Sequence, residues 1–250
     1  MKIIDAHAYI GESLFNRPQS VTELLQRMDA CGVDIAVLAP NRPKRYALWP
    51  ANQMVADVTK QYPDRFWGMV RVDPWQGQDA LDDLKRAREQ LGLRILLLHP
   101  WEEQFQIASS NVDPLVEYAA RNDMPVMIEA GYPLVSHPLD IAELANRHPQ
   151  ATFIATHGLQ LDSAGFALTD ADLTMRECKN IIMETSGMIA PETMENLARD
   201  LGCERLMFGS HSPWFDLRLE VERVKVLNLP SDQIAMVLGG NIERFIIPSA

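Results

Sequence analysis

Five ionisable residues follow hydrophobic runs that recur along the chain, and their types are those that carry out acid–base or metal chemistry. They are His7, His99, Glu129, His157 and His211, which include four of the six histidines. Short apolar runs of this kind predict buried β-strands. In a parallel β/α barrel the carboxyl ends of all strands open on one face, so residues far apart in sequence converge there. Converging titratable groups indicate an enzyme.

The hydrophobic runs predict eight strands that alternate with amphipathic helices. We expect the strands to begin, at intervals of about 24 to 33 residues, near Lys2, Val33, Phe66, Leu93, Met124, Ala151, Asn180 and Glu204. Amphipathic stretches such as 21–32, 79–92 and 190–202 lie between strands and end in glycine, a helix stop signal. This order predicts an α/β fold, a (β/α)₈ TIM barrel that forms one domain over residues 1–250. The alternative is an open doubly wound sheet, but its GxGxxG motif is absent.

Composition restricts the partners and the compartment. With 23 basic and 34 acidic residues the net charge is −11, which argues against nucleic acid or an anionic membrane as the main partner. No stretch approaches the roughly 20 apolar residues of a membrane helix, and the amino terminus lacks the apolar region of a secretory signal. The three cysteines are widely spaced and indicate reduced thiols. We therefore expect a cytoplasmic protein with a small-molecule substrate, and the sequence leaves open a homo-oligomer.

Five segments, taken together, resemble the amidohydrolase-related, metal-dependent hydrolases, a family of TIM-barrel proteins. The segments are IIDAHAYIG, LLLHP, PVMIEAG, FIATHG and LMFGSHSPW, which resemble that family's segments at strands 1, 4, 5, 6 and 8. They follow the family order at barrel spacing over essentially the whole chain, and GGNIERFI resembles the family's carboxy-terminal ending. The resemblance implies a TIM-barrel enzyme with a divalent metal.

The ligand set that the resemblance implies is altered at three positions. In the family, two strand-1 histidines, a strand-5 histidine and a strand-8 aspartate surround the metal, and a strand-6 histidine contacts the metal or its activated water. This chain keeps His7 and His157 but has Tyr9, Glu129 and His211 at the other positions. Tyr9 is expected to face the pocket beside His7, because residues two apart on a strand point the same way. A phenol with a pKa near ~10 is a better hydrogen-bond donor than metal ligand, so Tyr9 is predicted as a catalytic residue.

Two interpretations of this altered set stay open. In the first, His7, Glu129 and His211, with His157 in or next to the ligand set, bind one divalent ion, for which zinc or another first-row metal is suited. Such an ion lowers the pKa of water from about 15.7 towards about 7. In the second, no metal binds. His157 and His211, biased by Glu129, then act as general acid and base on an activated ester such as a lactone.

Residues expected at the mouth of the barrel predict a carboxylate-bearing substrate. Arg42 and Arg45 follow the second strand in PNRPKRY, the one basic cluster of the chain, and Arg71 lies near the end of the third strand. Guanidinium groups at such places favour a carboxylate through bidentate pairing. His99 after the fourth strand and Trp214 after the eighth are further candidates for substrate contact.

The resemblance, together with these observations, implies a hydrolase that activates water to attack a C–O or C–N bond of a lactone, ester or amide. The resembled family also includes decarboxylases, so a metal-dependent carbon–carbon lyase is the nearest alternative. A hypothesis of a different class is a non-catalytic barrel that binds a ligand, because the ligand set departs from the family's at three positions.

Overall fold

The strands coincide with the short apolar runs, whose side chains are buried on both faces of the sheet. The computed structural model describes residues 1–160 and 167–245. Its strands are β1 (Ile4–Ile10), β2 (Ile35–Pro40), β3 (Phe66–Arg71), β4 (Ile95–Leu98), β5 (Val126–Ile128), β6 (Phe153–Ala155), β7 (Ile181–Glu184) and β8 (Leu206–Met207). They form one sheet in the order β1 to β8, and all neighbours are parallel. The predicted (β/α)₈ barrel is confirmed.

The sheet closes through the segment that follows β8. The backbone N–H of Ala6 donates to the carbonyl oxygen of Phe208 at 3.1 Å, and that of Tyr9 donates to Ser212 at 2.8 Å. A parallel bridge joins Ala8 to Ser212. The loop after β8 therefore lies against β1, which brings the first and last predicted site segments together.

Helices lie between the strands and after β8, and they cover the outside of the sheet. Their bounds are α1 (Val21–Cys31), α2 (Leu48–Gln61), α3 (Gln78–Arg86), α4 (Pro100–Glu103), α5 (Asp113–Arg121), α6 (Pro138–Arg147), α7 (Leu168–Glu177), α8 (Pro191–Leu201), α9 (Leu217–Lys225), α10 (Ser231–Ala235) and α11 (Asn241–Glu243). Local signals set several ends: Ser20 and Glu23 form a capping box at α1, and Gly32 ends that helix in the left-handed region. No helix in residues 1–160 or 167–245 is long and apolar enough to cross a membrane.

Two helices lie where no amphipathic stretch was identified in the sequence, although the alternation of strands and helices predicts one between β6 and β7. The short α4 begins at Pro100 directly after β4, and α7 covers LTDADLTMRE. In α7 Leu168 and Leu173 are exposed whereas Thr174 is buried, so its apolar residues do not form one face. Ile246, at the end of the GGNIERFI segment, lies outside the described residues.

The barrel interior is filled by apolar side chains from every strand, and β1 changes its register within it. The pairing of β1 with β2 shifts between Asp5 and Ala8. Ala6 and Tyr9 both belong to the interior apolar cluster, whereas Ala8 packs in the outer layer beneath the helices. Such an irregularity re-aims side chains. It allows the carboxyl end of β1 to direct ring-bearing residues into the barrel.

Candidate active site

The structure brings five of the predicted site residues together at the carboxyl ends of the strands. His7 and Tyr9 belong to β1, Glu129 follows β5, His157 lies in the turn after β6, and His211 follows β8. All five side chains are buried, with at most 5% of any residue exposed. We refer to His7, Glu129, His157 and His211 as the histidine–glutamate cluster.

The carboxylate of Glu129 lies at the centre of this cluster. Its Oε1 atom accepts a hydrogen bond from the Tyr9 hydroxyl at 2.5 Å and lies 3.0 Å from His7 Nε2 and 3.3 Å from His211 Nε2. Its Oε2 atom lies 3.0 Å from His157 Nε2. Three imidazoles and one phenol thus converge on a single buried carboxylate. Tyr9 acts as a donor to Glu129.

The ring nitrogens of His7 and His211 test whether the cluster fits a metal ion. All four of these nitrogens are buried and have no hydrogen-bond partner among the described residues, although Glu129 is close to both rings. One ligand atom each from His7, Glu129 and His211 lies within 4.8 Å of the others. Metal–ligand bonds of about 2.0–2.2 Å space neighbouring ligands by roughly 3.0–3.5 Å. The distances of 3.0 Å and 3.3 Å from Glu129 Oε1 to the Nε2 atoms of His7 and His211 lie in this range, and with the unpaired nitrogens they fit a divalent ion.

Electrostatics give the members of the cluster different charges when no metal is bound. Burial opposes the ionised form of Glu129, but the nearby His211 and His7 imidazoles hold its pKa well below the ordinary value. Burial also opposes a charge on His7, yet Glu129 raises the pKa of that imidazole to about 10. At His211 burial prevails and lowers the pKa to about 4. The neighbouring charges of the cluster therefore favour an ionised Glu129 and an imidazolium at His7, whereas burial disfavours a charge on His211.

Two of the histidines have backbone conformations that L-residues rarely adopt. His157 has φ 57° and His211 has φ 53°, both in the left-handed region. Such residues persist where the surrounding structure holds them, and they are concentrated at functional sites. The backbone thus supports the assignment of these two imidazoles to a site.

Asp5 links strand β1 to the segment that follows β8. Its buried carboxylate accepts hydrogen bonds from the Ser210 hydroxyl at 2.5 Å, from the Ser210 backbone N–H at 2.8 Å and from the His7 backbone N–H at 3.0 Å. Burial raises its pKa to about 6 despite these bonds. Asp5 therefore fixes the segment that carries His7 against the one that leads to His211.

Two residues of the site, Glu184 and Ser186, were missed by the sequence analysis. Both are fully buried at the end of β7, and the Ser186 hydroxyl lies 2.9 Å from His157 Nδ1. A signal was present, because Glu184 ends the apolar run NIIME as Glu129 ends PVMIE. A carboxylate after a buried strand costs several kcal/mol unless it is paired.

The predicted substrate contacts His99 and Arg71 lie in a second buried polar group beside the cluster. The Arg71 guanidinium is fully buried and donates to Glu102 and, at 2.7 Å, to Glu103. His99 Nδ1 accepts a hydrogen bond from the backbone N–H of Glu102 at 3.3 Å, and burial lowers the pKa of His99 to about 4. Both residues therefore have internal partners.

The remaining predicted contacts lie at the rim of the barrel mouth. Trp214 is half-buried, and its ring centroid lies 6.1 Å from that of His211. The Arg42 guanidinium lies over the Tyr46 ring at 4.5 Å, and Arg45 is exposed. Within the two described stretches neither arginine forms a hydrogen bond or ion pair with the cluster. The structure thus places Trp214 beside the cluster and leaves both arginines in the loop after β2.

Comparison with protein families matches residues 4–246 to the family described as Amidohydrolase. A search of curated proteins finds no match. The match covers the whole of the barrel that the strands and helices form.

Solved structures with the same architecture include several decarboxylases. The 5-carboxyvanillate decarboxylase LigW from Sphingomonas paucimobilis is 17% identical with a TM-score of 0.80, and 98% of each chain is covered. The 2,6-dihydroxybenzoate decarboxylase from Rhizobium is 16% identical with a TM-score of 0.79 and the same coverage. A dihydroxybenzoic acid decarboxylase from Polaromonas sp. JS666, solved with manganese and 2-nitroresorcinol, is 14% identical with a TM-score of 0.77, covering 98% of this chain and 96% of that one. At these identities the likeness establishes the fold.

Proposed function

Because the chain belongs to the amidohydrolase family, we propose that it is a metal-dependent hydrolase acting on a C–O or C–N bond of a small, carboxylate-bearing molecule. The bond is that of a lactone, ester or amide. This proposal rests on the close approach of His7, Glu129 and His211 in a buried site. The ring nitrogens of the two histidines have no hydrogen-bond partner in the described part of the chain.

In this proposal His7, Glu129 and His211 hold the ion, for which zinc is the first candidate from the ligand types. When bound, a divalent ion supplies Lewis-acid chemistry: it acidifies water and polarises a carbonyl oxygen. We assign His211 to metal binding rather than to proton transfer because neither of its ring nitrogens has a hydrogen-bond partner among the described residues.

His157 is the group that we assign to proton transfer. Its Nδ1 atom is already engaged by Ser186, whereas its Nε2 atom faces the centre of the cluster, 3.0 Å from Glu129 Oε2. It can therefore accept a proton from the attacking water and return it to the leaving group. Tyr9 orients the Glu129 carboxylate through its hydrogen bond.

We propose that the substrate carboxylate is bound by Arg42 and Arg45 on the loop after β2, with Trp214 and His99 lining the approach. A charge-assisted hydrogen bond of this kind contributes on the order of 1.5–3 kcal/mol. Arg71 differs from these two arginines, because its Nη2 already donates to Glu102 and Glu103 and its Nη1 to the Pro40 carbonyl oxygen. Its enclosure supports a role in holding the loop after β4 rather than in binding substrate directly.

Decarboxylation of a small carboxylic acid is the second candidate. The structures of similar fold include decarboxylases of 5-carboxyvanillate and of dihydroxybenzoic acids, and two of these structures contain manganese. The cluster suits this reaction as well, because His157 can deliver a proton to a carbanion from the same position. Manganese is then the alternative metal.

Metal content and turnover test the proposal together. Protein purified without chelator is expected to contain about one transition ion per chain, and His7→Ala or Glu129→Gln is expected to remove it. His148→Gln is the matched control, since this buried histidine pairs with Asp113 outside the cluster. Ligand protonation should also release the ion as the pH falls.

The reaction is then identified on a panel of lactones, esters, amides and carboxylated aromatics, with zinc, manganese or chelator added. Release of an acid supports hydrolysis, and release of carbon dioxide supports decarboxylation. Full activity with substoichiometric metal would replace the metal mechanism by acid–base catalysis from His157 and His211. Ligand-induced stabilisation without any turnover would support a binding protein. Equal turnover of a substrate and its neutral methyl ester would exclude the arginine contacts.

A further inference from the structure

A cavity of about 620 Å³ opens at the end of the barrel opposite to the histidine–glutamate cluster. Its wall includes Arg94, Pro125 and Thr152, which directly precede the strands β4, β5 and β6. The cavity therefore lies at the amino ends of these strands, whereas the cluster lies at the carboxyl ends. We refer to it as the basal cavity. Its volume is that of a site for a small molecule.

Three arginines from separate parts of the chain line the basal cavity. Arg88 lies in the turn that follows α3, Arg94 directly precedes β4, and Arg244 directly follows α11. Asp123 is the one carboxylate among the described lining residues. The sequence shows a basic cluster only in the loop after β2, so the fold assembles this second one from distant residues.

The three guanidinium groups contact carbonyl oxygens rather than carboxylates. Arg88 donates to the Asn122 carbonyl oxygen at 3.4 Å, and Arg244 donates to the Glu204 carbonyl oxygen at 3.2 Å. Within residues 1–160 and 167–245, none of the three arginines forms an ion pair. Their positive charges therefore remain available to a ligand.

This lack of ion pairs contrasts with the rest of the chain. Acidic residues outnumber basic ones by 34 to 23, and arginines on other surfaces pair with them. Arg147 contacts two carboxylates, and so does Arg176. Three arginines that share one wall without such a partner point to an anion that comes from outside the chain.

An adjoining cavity is less suited to an anion. It shares Thr152, Arg244 and Phe245 with the basal cavity, but its wall also carries the carboxylates of Asp200 and Glu204. Its Arg205 already donates to three backbone carbonyl oxygens. The available positive charge is therefore concentrated in the basal cavity.

The donors and the net charge restrict the ligand. The guanidinium fork matches both carboxylate and phosphate, but a carboxylate offers two oxygens whereas a phosphate offers three and more negative charge. A phosphate can therefore be shared by arginines that approach it from different elements. The net charge of −11 repels a long polyanion such as nucleic acid, so the ligand is small.

We propose that the basal cavity is a binding site for a small phosphate-bearing molecule, held by Arg88, Arg94 and Arg244. The ligand is either free phosphate or a phosphate monoester. The site uses none of the residues of the proposed function and lies at the other end of the barrel.

Isothermal titration calorimetry of the purified full chain, at low salt in a buffer without phosphate, tests the site. Inorganic phosphate or AMP is expected to bind with a Kd below about 1 mM, and added salt should weaken the binding. Tighter binding of AMP than of phosphate would support a monoester, and equal or weaker binding would support free phosphate. Adenosine that binds as tightly as AMP, or succinate that binds more tightly than either phosphate, would overturn the proposal.

The double variant Arg88→Gln/Arg94→Gln assigns the binding to the basal cavity. Loss of charge-assisted hydrogen bonds to phosphate should weaken the binding by about 10- to 100-fold. The matched control is Arg42→Gln/Arg45→Gln, which removes the same charge at the mouth of the barrel. This control is expected to keep the affinity of the wild type. An equal loss in both variants, or a loss in the control alone, would overturn the assignment.

Melting temperatures check the folding of each variant and give a second measure of binding. Phosphate should raise the melting temperature of the wild type and of the control, but not that of the cavity variant. If the double variant does not fold, Arg94→Gln takes its place, because Arg94 is exposed and its side chain has no hydrogen bond in the described stretches. Wild-type affinity in folded Arg94→Gln would refute the site. None of these measurements needs a substrate, so they are independent of the reaction at the mouth.

Discussion

Arg71→Met gives the sharpest test of how the barrel accommodates its buried charges. The guanidinium is fully enclosed at the end of β3, where it donates to Glu102, to Glu103 at 2.7 Å and to the carbonyl oxygen of Pro40 at 3.3 Å. Methionine preserves most of the side-chain volume but leaves two buried carboxylates without their cation.

Breaking a buried ion pair by removing one partner costs about 3–5 kcal/mol, because an uncompensated charge remains. In a chain of this size each kcal/mol lowers the melting temperature by about 2–4 °C. Arg71→Met should therefore lower it by roughly 6–20 °C at pH 8, where Glu103, whose pKa burial raises to about 7, is ionised in the wild type. Urea unfolding should show the same loss as a lower midpoint at an unchanged slope.

Two further variants show that charge is the cause. Adding Glu102→Gln and Glu103→Gln to Arg71→Met removes the unpaired carboxylates and should recover most of the lost stability. Arg147→Met is the matched control: Arg147 also contacts two carboxylates, Asp113 and Glu143, but its side chain is 31% exposed. Ion pairs that are partly exposed to solvent contribute about 0–1 kcal/mol to the free energy of unfolding.

The same variants separate structure from substrate binding. If Arg71 binds the substrate carboxylate, the triple variant should regain stability and yet show a raised KM. A loss of less than about 1 kcal/mol in Arg71→Met would refute the argument, since it would mean that water or a rearrangement compensates both carboxylates.

Three other changes probe neighbouring contacts. Tyr9→Phe removes the hydroxyl that donates to Glu129 and should cost about 1.5–3 kcal/mol in urea unfolding, together with a weaker affinity for zinc. Burial raises the pKa of Glu103 to about 7. The contribution of this group to stability is therefore present below its ordinary pKa and is lost as the pH rises through 7. Glu103→Gln should flatten the dependence of melting temperature on pH between about 5 and 8. Gly209→Ala introduces a methyl group against Glu184 and should destabilise the fold by about 1–3 kcal/mol, whereas an unchanged melting temperature would contradict the close approach.

The barrel was predictable because its strands are defined by local sequence. Apolar runs of strand length recur eight times, and each observed strand begins within two residues of the predicted start. The helix α7 gave no clear periodic pattern, since its Leu168 and Leu173 are exposed whereas its Thr174 is buried. Periodicity identifies a helix only where its apolar residues lie on the buried face.

The placement of charged side chains was less predictable, because their partners come from other strands. Arg71 was predicted to contact substrate from its position after an apolar run, yet Glu102 and Glu103 enclose it from the loop after the next strand. Glu184 carries the same local signal as Glu129, but only the fold shows that it adjoins His157 rather than the open centre of the site. A strand end predicts that a residue faces the mouth, and the neighbouring strands decide what it contacts there.

The backbone conformation of the site could not be predicted from the local sequence. His157 and His211 adopt left-handed conformations that cost on the order of 1–3 kcal/mol each for such residues. Glycine would relieve this strain but would remove the imidazole. The contacts that hold these conformations come from distant segments: Glu184 accepts from the His157 backbone N–H, and His211 donates its own N–H to the His7 carbonyl oxygen at 2.7 Å. The chain therefore keeps an imidazole where local sterics favour glycine, and it does so at the two positions where the rings face Glu129.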